Sequence, residues 1–354
     1  MPTIESIAVT ELSTSLSAPF VISLGEQHEL ANVVVAVELA DGTQGFGEAA
    51  PVPHITGETQ GTALAACRAA RELLVGEPIA DYRGHVAALG ELLAAQHTAR
   101  AGLEIALFDA RCRSLDCSLA AFVGGRDQPV RTDITVSIVD PETARDKAID
   151  AVGAGFTDLK VKVGESIEDG AARVAAVADA APDAAISVDA NQGYSPKEAL
   201  SLVDRLDERG VAIDLLEQPV PGTDLAGLKR VRDAVGMPVA ADESVYSPDD
   251  ARRVAERGAA DVINVKLMKS GILGALDIAS IARASDVDLM IGCMLESSIA
   301  IHAAAHLVAG VGAFEHVDLD GNFSLETDFG ERAEGPEIPI SGPGHGVIPE
   351  DVGV

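Results

Sequence analysis

At 354 residues with 47% hydrophobic content, the chain is long enough for a large buried core or for two domains, and it reads as globular. Lys and Arg number 26 against 56 Asp and Glu, a formal charge of −30, which excludes nucleic acid as a partner because phosphate contacts need basic side chains. No run approaches the roughly 18 apolar residues of a membrane span, and the opening MPTIESIAVT lacks a basic region before an apolar stretch, so a cytoplasmic protein with no membrane contact is expected.

The first 125 residues carry an extended stretch, ANVVVAVELADGTQGFGEAAP, with an Asp-Gly hairpin signal, followed by helical patterns in GTALAACRAARELLVG and ARAGLEIALFDARCRSL. They are expected to form an α+β domain over 1–125, with GGRDQPV at 124–130 as the linker. Over 126–320 short β-branched runs alternate with Ala-rich helical patterns. The runs are VRTDITVSI, TDLKVKV, AISVDAN, IDLLEQP, MPVAADES, DVINVKL, DLMIGCM and FEHVDLD. Several of the helical patterns open on Ser or Asp with Pro in the first turn and close on Gly. Nearly continuous apolar runs suit parallel strands buried on both faces, so the predicted class is α/β with a (β/α)₈-type barrel. Beyond residue 321 the periodicity fades into Gly- and Pro-rich sequence, and 321–354 is expected to return and pack on the first domain.

Polar residues stand where the barrel strands should end: Lys162, Asp189, Glu217, Asp242, Lys266, Glu296 and Asp318. Successive gaps of 27, 28, 25, 24, 30 and 22 residues are each close to one β/α unit. In a barrel these side chains converge on the C-terminal mouth, where active sites of this architecture are built. Asp189, Glu217 and Asp242, in VDANQGY, LLEQPV and AADES, would repel one another there unless a divalent cation neutralised them, and hard oxygen ligands suit Mg²⁺. The other reading of a single strand-end Asp is a helix N-cap.

The chain has only seven lysines, and two of them, Lys160 and Lys162, share one face of the strand in LKVKV. A lysine acts as a base near neutral pH only if its pKa falls from about 10.4, and a neighbouring positive charge drives it that way. Lys160 is therefore expected to depress Lys162, with Lys266 on the opposite side of the metal. Two lysines flanking a carboxylate-held cation suit removal of a proton α to a carboxylate and its return on the other face, which inverts a stereocentre.

At these residues the chain resembles the enolase superfamily, muconate-lactonizing subgroup, through KVKVG, VDANQGY, EQPV, ADES, NVKLMKSG and GCMLESS in that order. The resemblance implies a (β/α)₇β barrel with an α+β N-terminal capping domain completed by the C-terminal tail, one Mg²⁺, Lys162 and Lys266 as the acid/base pair, and Lys160 as electrostatic helper. VDLDG looks like the D-x-D of dipeptide epimerases, which implies that Asp318 and Asp320 bind the α-ammonium group of a dipeptide whose C-terminal residue is epimerised. Glu296 and Ser297 of GCMLESS, and Glu26 and His28 of a mobile loop after the first strand, are the further substrate-binding residues it implies, in a homo-oligomer with a small-molecule substrate. Muconate cycloisomerase, o-succinylbenzoate synthase and N-acylamino acid racemase are the alternatives, whose substrates lack a free ammonium for Asp318 and Asp320. Two departures from the family pattern are visible: the chain reads KSGI where KSGG or KAGG is usual, and the loop PFVISLGEQHELAN has Glu26, His28 and Glu29 where Ala-Glu epimerases carry a basic residue.

Cys67, Cys112, Cys117 and Cys293 are scattered without C-x-x-C spacing, so reduced thiols are expected. The acids are dispersed along the chain. With lysine scarce, that pattern resembles proteins of salt-loving organisms, and a GC-rich genome would also replace Lys by Arg.

Overall fold

In the computed structural model, which describes residues 2–349, the chain starts with two long antiparallel strands, β1 (Ile4–Ile22) and β2 (Gly25–Leu39). A third, β3 (Gln44–Ala49), follows across the Asp41-Gly42 turn predicted from the sequence. The apolar face of this sheet, with Val33, Val35 and Val37 fully buried, packs on the helix His97–Ser114. A short strand pair then ties the segment that follows these elements to the C-terminal segment: β4 (Val130–Arg131) pairs with β13 (Glu337–Ile338). Beyond β13, His345 donates its backbone N–H to Asp109 of the long cap helix and places a ring nitrogen 2.9 Å from Phe46 O. The last five residues of the expected 321–354 segment lie outside the described residues.

Between these pieces stands an eight-stranded parallel sheet: β5 (Ile134–Val136), β6 (Asp158–Lys162), β7 (Ala185–Asp189), β8 (Leu215–Glu217), β9 (Val239–Ala241), β10 (Val262–Lys266), β11 (Asp288–Gly292) and β12 (Phe314–Asp318). The strands neighbour one another in chain order, and the edges meet where Asp133 N–H donates to Val317 O and Leu319 N–H donates to Thr132 Oγ1. One helix crosses between each successive pair, which makes this the (β/α)₇β barrel. Helix starts follow the sequence signals: Asp140, Ser166, Ser195 and Ser247 each accept an N–H of the first turn, three of them with Pro next.

The apolar strand residues that point outward meet the helices in one continuous core, whereas the barrel interior holds only a small plug of Leu215, Ala240, Val262 and Met290. Above that plug the interior is polar, so the charged strand ends face one another and not solvent.

The cap grips the barrel through buried carboxylates. Glu48 of β3 accepts from Ser297 N and Oγ, and from Asn32 Nδ2, which also bonds Leu295 O. Glu104 of the cap helix accepts from Leu273 N at 2.7 Å, just past a kink at Gly271. At φ 68° with Glu104 against it, position 271 has no room for a Cβ, so the glycine of KSGI is required there.

Burial pushes the Glu104 carboxyl up to about 7, with the Leu273 N–H and Arg100 opposing. A carboxyl raised on folding favours the folded state at low pH, and this contribution is lost as pH rises from about 4.5 to about 7, by on the order of 3 kcal/mol. Glu104→Gln keeps an acceptor for Leu273 and removes the titration. The Tm of the variant relative to the parent should therefore climb between pH 5 and pH 8, and a pH-independent difference would refute the assignment.

Candidate active site

The three carboxylates of the expected metal site are fully or almost fully buried, on one face of adjacent strands. Asp189 ends β7 beside Glu217 ending β8, and Asp242 follows β9 in the same pleat phase. Each uses one oxygen on the scaffold and turns the other inward. Asp189 Oδ1 accepts Asn191 N–H at 2.8 Å, while Oδ2 lies 2.7 Å from Lys162 Nζ. Glu217 Oε1 accepts from Asn264 Nδ2 at 2.6 Å, while Oε2 lies 2.7 Å from Lys160 Nζ without a hydrogen bond of its own. Asp242 Oδ1 accepts from Lys269 Nζ at 2.6 Å, while Oδ2 lies 2.8 Å from Lys266 Nζ.

Such convergence needs unusual backbone. Asn191, Gln192 and Gln218, immediately after two of these acids, have left-handed φ of 38°, 69° and 33°. Gln218 is held by its own side chain, which donates to Val220 O and Ser244 Oγ and accepts from Asp242 N.

Three carboxylates, each with one oxygen on a lysine, are hard donors of the kind Mg²⁺ takes, whereas among the described residues the three acids whose oxygens already lie within 4.8 Å of one another are Asp133, Asp318 and Asp320. Burial and the neighbouring Asp189 raise the Glu217 carboxyl, and burial with Asp242 pushes Glu243 up to about 8. Burial likewise opposes ionisation of Asp189 and Asp242, but the lysines on them outweigh it and hold both below the ordinary range.

Lys160 points along the barrel axis, 2.5 Å from Asp318 Oδ2 and 3.5 Å from Asp189 Oδ2. Burial alone would strip its proton, but Asp318, Glu217 and Asp189 prevail and its pKa lies well above the ordinary value. It is a fixed positive charge that shares Asp189 with Lys162, as the one-face reading of LKVKV anticipates. Lys266 differs from the expected low-pKa base. Burial opposes its charge, yet Asp242 and Glu217 overcome this and push its pKa upward. In this arrangement the lysine carries the proton, because a carboxylate lies closer to it than any positive charge does.

Lys162 and Lys266 both line one cavity, between the barrel mouth and the cap, together with Asp318 and Asp320. Asp320 accepts Thr135 N–H at 2.6 Å; burial and the Asp318 charge push it up to about 6. Beneath it stands an acid the sequence reading passed over, Asp133. Its Oδ1 is buried without a hydrogen bond, and one oxygen from each of Asp133, Asp318 and Asp320 falls within 4.8 Å of the others. Burial and the two neighbouring aspartates raise Asp133 far above its usual value. Crowded acids of this kind attract a cationic group.

The other residues expected to bind substrate, Glu26, His28, Glu296 and Ser297, are not among those that line this cavity. The loop expected to be mobile is the β1–β2 hairpin itself, turning at Ser23-Leu24, with Glu26 and His28 exposed on its outer face and paired at 3.2 Å. The cavity is lined instead by Phe20, Ile22 and Gln27, because Phe20 pairs with Gln27 while Val21 pairs with Glu26 on the opposite face. The hairpin tip docks where Ser23 Oγ donates to Asn191 O and where Gly164, at φ 116°, leaves no space for a side chain beside Ser23. Glu296 folds back to accept Met294 N–H at 2.7 Å, and Ser297 caps the helix Ser298–Val311 and bonds Glu48. Neither reaches the cavity, which takes Cys293, Met294 and Leu295 from that loop. All four cysteines are free thiols. Among the described residues no helix is long and apolar enough to cross a membrane.

Residues 4–124 match the mandelate racemase / muconate lactonizing enzyme N-terminal domain, and residues 143–351 match the enolase C-terminal domain-like family. The aromatic dipeptide epimerase of Herpetosiphon aurantiacus is 40% identical over 90% of each chain. The hydrophobic dipeptide epimerase of Citrifermentans bemidjiense is 38% identical over 98% of each. The crystal structure of a dipeptide epimerase from Enterococcus faecalis, complexed with Mg and the dipeptide L-Leu-L-Tyr, superposes with a TM-score of 0.94 at 34% identity, covering 98% of this chain and 99% of that one.

Proposed function

The chain belongs to the enolase superfamily, and from that membership we propose that it is a Mg²⁺-dependent dipeptide epimerase that inverts the α-carbon of the C-terminal residue by proton transfer between Lys162 and Lys266. The observation that carries this reading is one cavity lined by two buried lysines, Lys162 and Lys266, each held by a strand-end carboxylate, Asp189 and Asp242, with Asp318 and Asp320 lining the same cavity. Asp189, Glu217 and Asp242 would hold Mg²⁺, which when bound supplies positive charge against the negative charge that builds on the substrate carboxylate as the α-proton leaves.

The other steps belong to the chain's own side chains. Whichever of Lys162 and Lys266 starts without a proton takes the α-proton from its face, and the other returns one from the opposite face. Lys160, whose ammonium is permanent, sets a fixed positive charge 2.7 Å from Glu217 Oε2 and 2.5 Å from Asp318 Oδ2. The substrate ammonium would sit against Asp318 and Asp320, with the buried Asp133 carboxyl as a further oxygen acceptor beside them. Phe20, Ile22, Val52 and Ile55 then present an apolar wall to the substrate, which agrees with the aromatic and hydrophobic dipeptides in the names of the relatives and disfavours a side-chain carboxylate.

Incubation with Mg²⁺ in D₂O tests the proposal. L-Ala-L-Phe and L-Ala-L-Leu should each gain one dalton and a second epimer, faster than L-Ala-L-Glu. N-acetyl-L-Ala-L-Leu should react very poorly, because acetylation removes the charge and leaves buried carboxylates unpaired. A preference for N-acylated amino acids would move the chain to the acylamino acid racemases.

A further inference from the structure

Four of the seven lysines lie inside the barrel, and the reaction proposed above uses three of them. The fourth, Lys269, sits one turn past Lys266 with its side chain 1% exposed, and it does not line the cavity. All three of its N–H bonds are taken: Asp242 Oδ1 at 2.6 Å, Asp242 O at 2.6 Å and Asn264 O at 3.2 Å. Neutralising Asp242 does not require it, since Lys266 already lies 2.8 Å from Oδ2.

What Lys269 adds is orientation. By holding both the side-chain and main-chain oxygens of Asp242 it fixes the rotamer, so that Oδ2 is the oxygen turned inward. Through Asn264, whose carbonyl it holds and whose amide donates to Glu217 Oε1, it bears on a second carboxylate of the same set.

Lys269 also faces the cap. Its ammonium lies 5.5 Å from the centre of the Tyr246 ring, in cation–π range. The Tyr246 hydroxyl donates to Ile55 O at 2.8 Å, and Ile55 lines the cavity. His97 of the long cap helix packs edge-on against Tyr246 and places Nδ1 3.1 Å from Lys269 O.

We propose that Lys269 is a positioning residue that sets the Asp242 and Glu217 carboxylates for the metal and ties them, through Tyr246, to the cap segment lining the substrate cavity. The inference rests on the metal site proposed above, and side chains that hold a metal ligand in place change metal affinity about 10–100-fold when lost. The test is Mg²⁺ affinity by titration calorimetry on the full-length chain, with circular dichroism as the folding control. Lys269→Met should stay folded and bind Mg²⁺ at least tenfold more weakly, with Lys269→Arg recovering part of the loss. Tyr246→Phe should leave the Mg²⁺ affinity within twofold while raising KM for L-Ala-L-Phe. If Lys269→Met does not fold, Lys269→Gln, whose shorter amide cannot hold Asp242 Oδ1, Asp242 O and Asn264 O together, carries the same comparison. Folded Lys269 variants that bind Mg²⁺ as the parent does, while Asp189→Asn binds weakly, would overturn this inference alone. A parent chain that binds no Mg²⁺ would overturn the metal-site reading together with it.

Discussion

Lys266→Ala should lower epimerisation of L-Ala-L-Phe by at least about 10²-fold, the usual contribution of one positioned acid/base group, and Lys162→Ala should do the same. The two variants should differ in what they retain. If each lysine serves one face of the α-carbon, each single variant can still exchange with solvent the α-proton of the epimer whose reacting face keeps its lysine. It cannot invert that epimer, because the second proton must arrive from the side that has lost its donor. Deuterium uptake measured separately for L-Ala-L-Phe and L-Ala-D-Phe should therefore be lost for opposite epimers in the two variants. Stability complicates the substitution at 266, since Lys266 Nζ lies 2.8 Å from Asp242 and its removal leaves a buried carboxylate with one lysine fewer. The exchange pattern is insensitive to that loss as long as the protein folds. Full epimerase activity in either variant would end the two-lysine assignment.

Removal of the metal is expected to abolish turnover, and Mg²⁺ to restore it. The reason lies in Asp189, Glu217 and Asp242, three buried carboxylates each with one oxygen against a lysine. Metal binding should also be visible without activity: at a Mg²⁺ concentration one hundred times Kd, binding to the folded state alone adds about 2.7 kcal/mol, which raises Tm. Asp189→Asn should remove most of that rise. A Tm that does not respond to Mg²⁺, or undiminished turnover in excess EDTA once the metal is confirmed absent, would refute the site.

Much of this protein is determined by its sequence alone. Alternation of β-branched runs with Ala-rich helical patterns predicts the barrel, because strands buried on both faces must be almost continuously apolar. The strand-end acids and lysines stand out for the same reason: a charged group closing such a run has nowhere to point but the barrel mouth. Lys160 and Lys162 share a face because the strand period is two, and they meet on Asp189 in the structure.

Tertiary structure decided the rest. Between Ser15 and Phe20 the β1–β2 register shifts, so that five residues of β1 advance against two of β2. Counting alternate residues through such a bulge cannot tell which face turns inward, and so Glu26 and His28 face solvent while Phe20, Ile22 and Gln27 line the cavity. Glu296 and Ser297 have the residue types of a binding loop, but a backbone N–H and a cap carboxylate 249 positions away claim them first. The role of Lys269 was equally hidden, since its partner Asp242 lies 27 positions back on another strand. Local periodicity decides which residues can be buried together. Which of those buried polar groups satisfy one another, and which are left for a ligand, depends on contacts that exist only after the barrel closes under the cap.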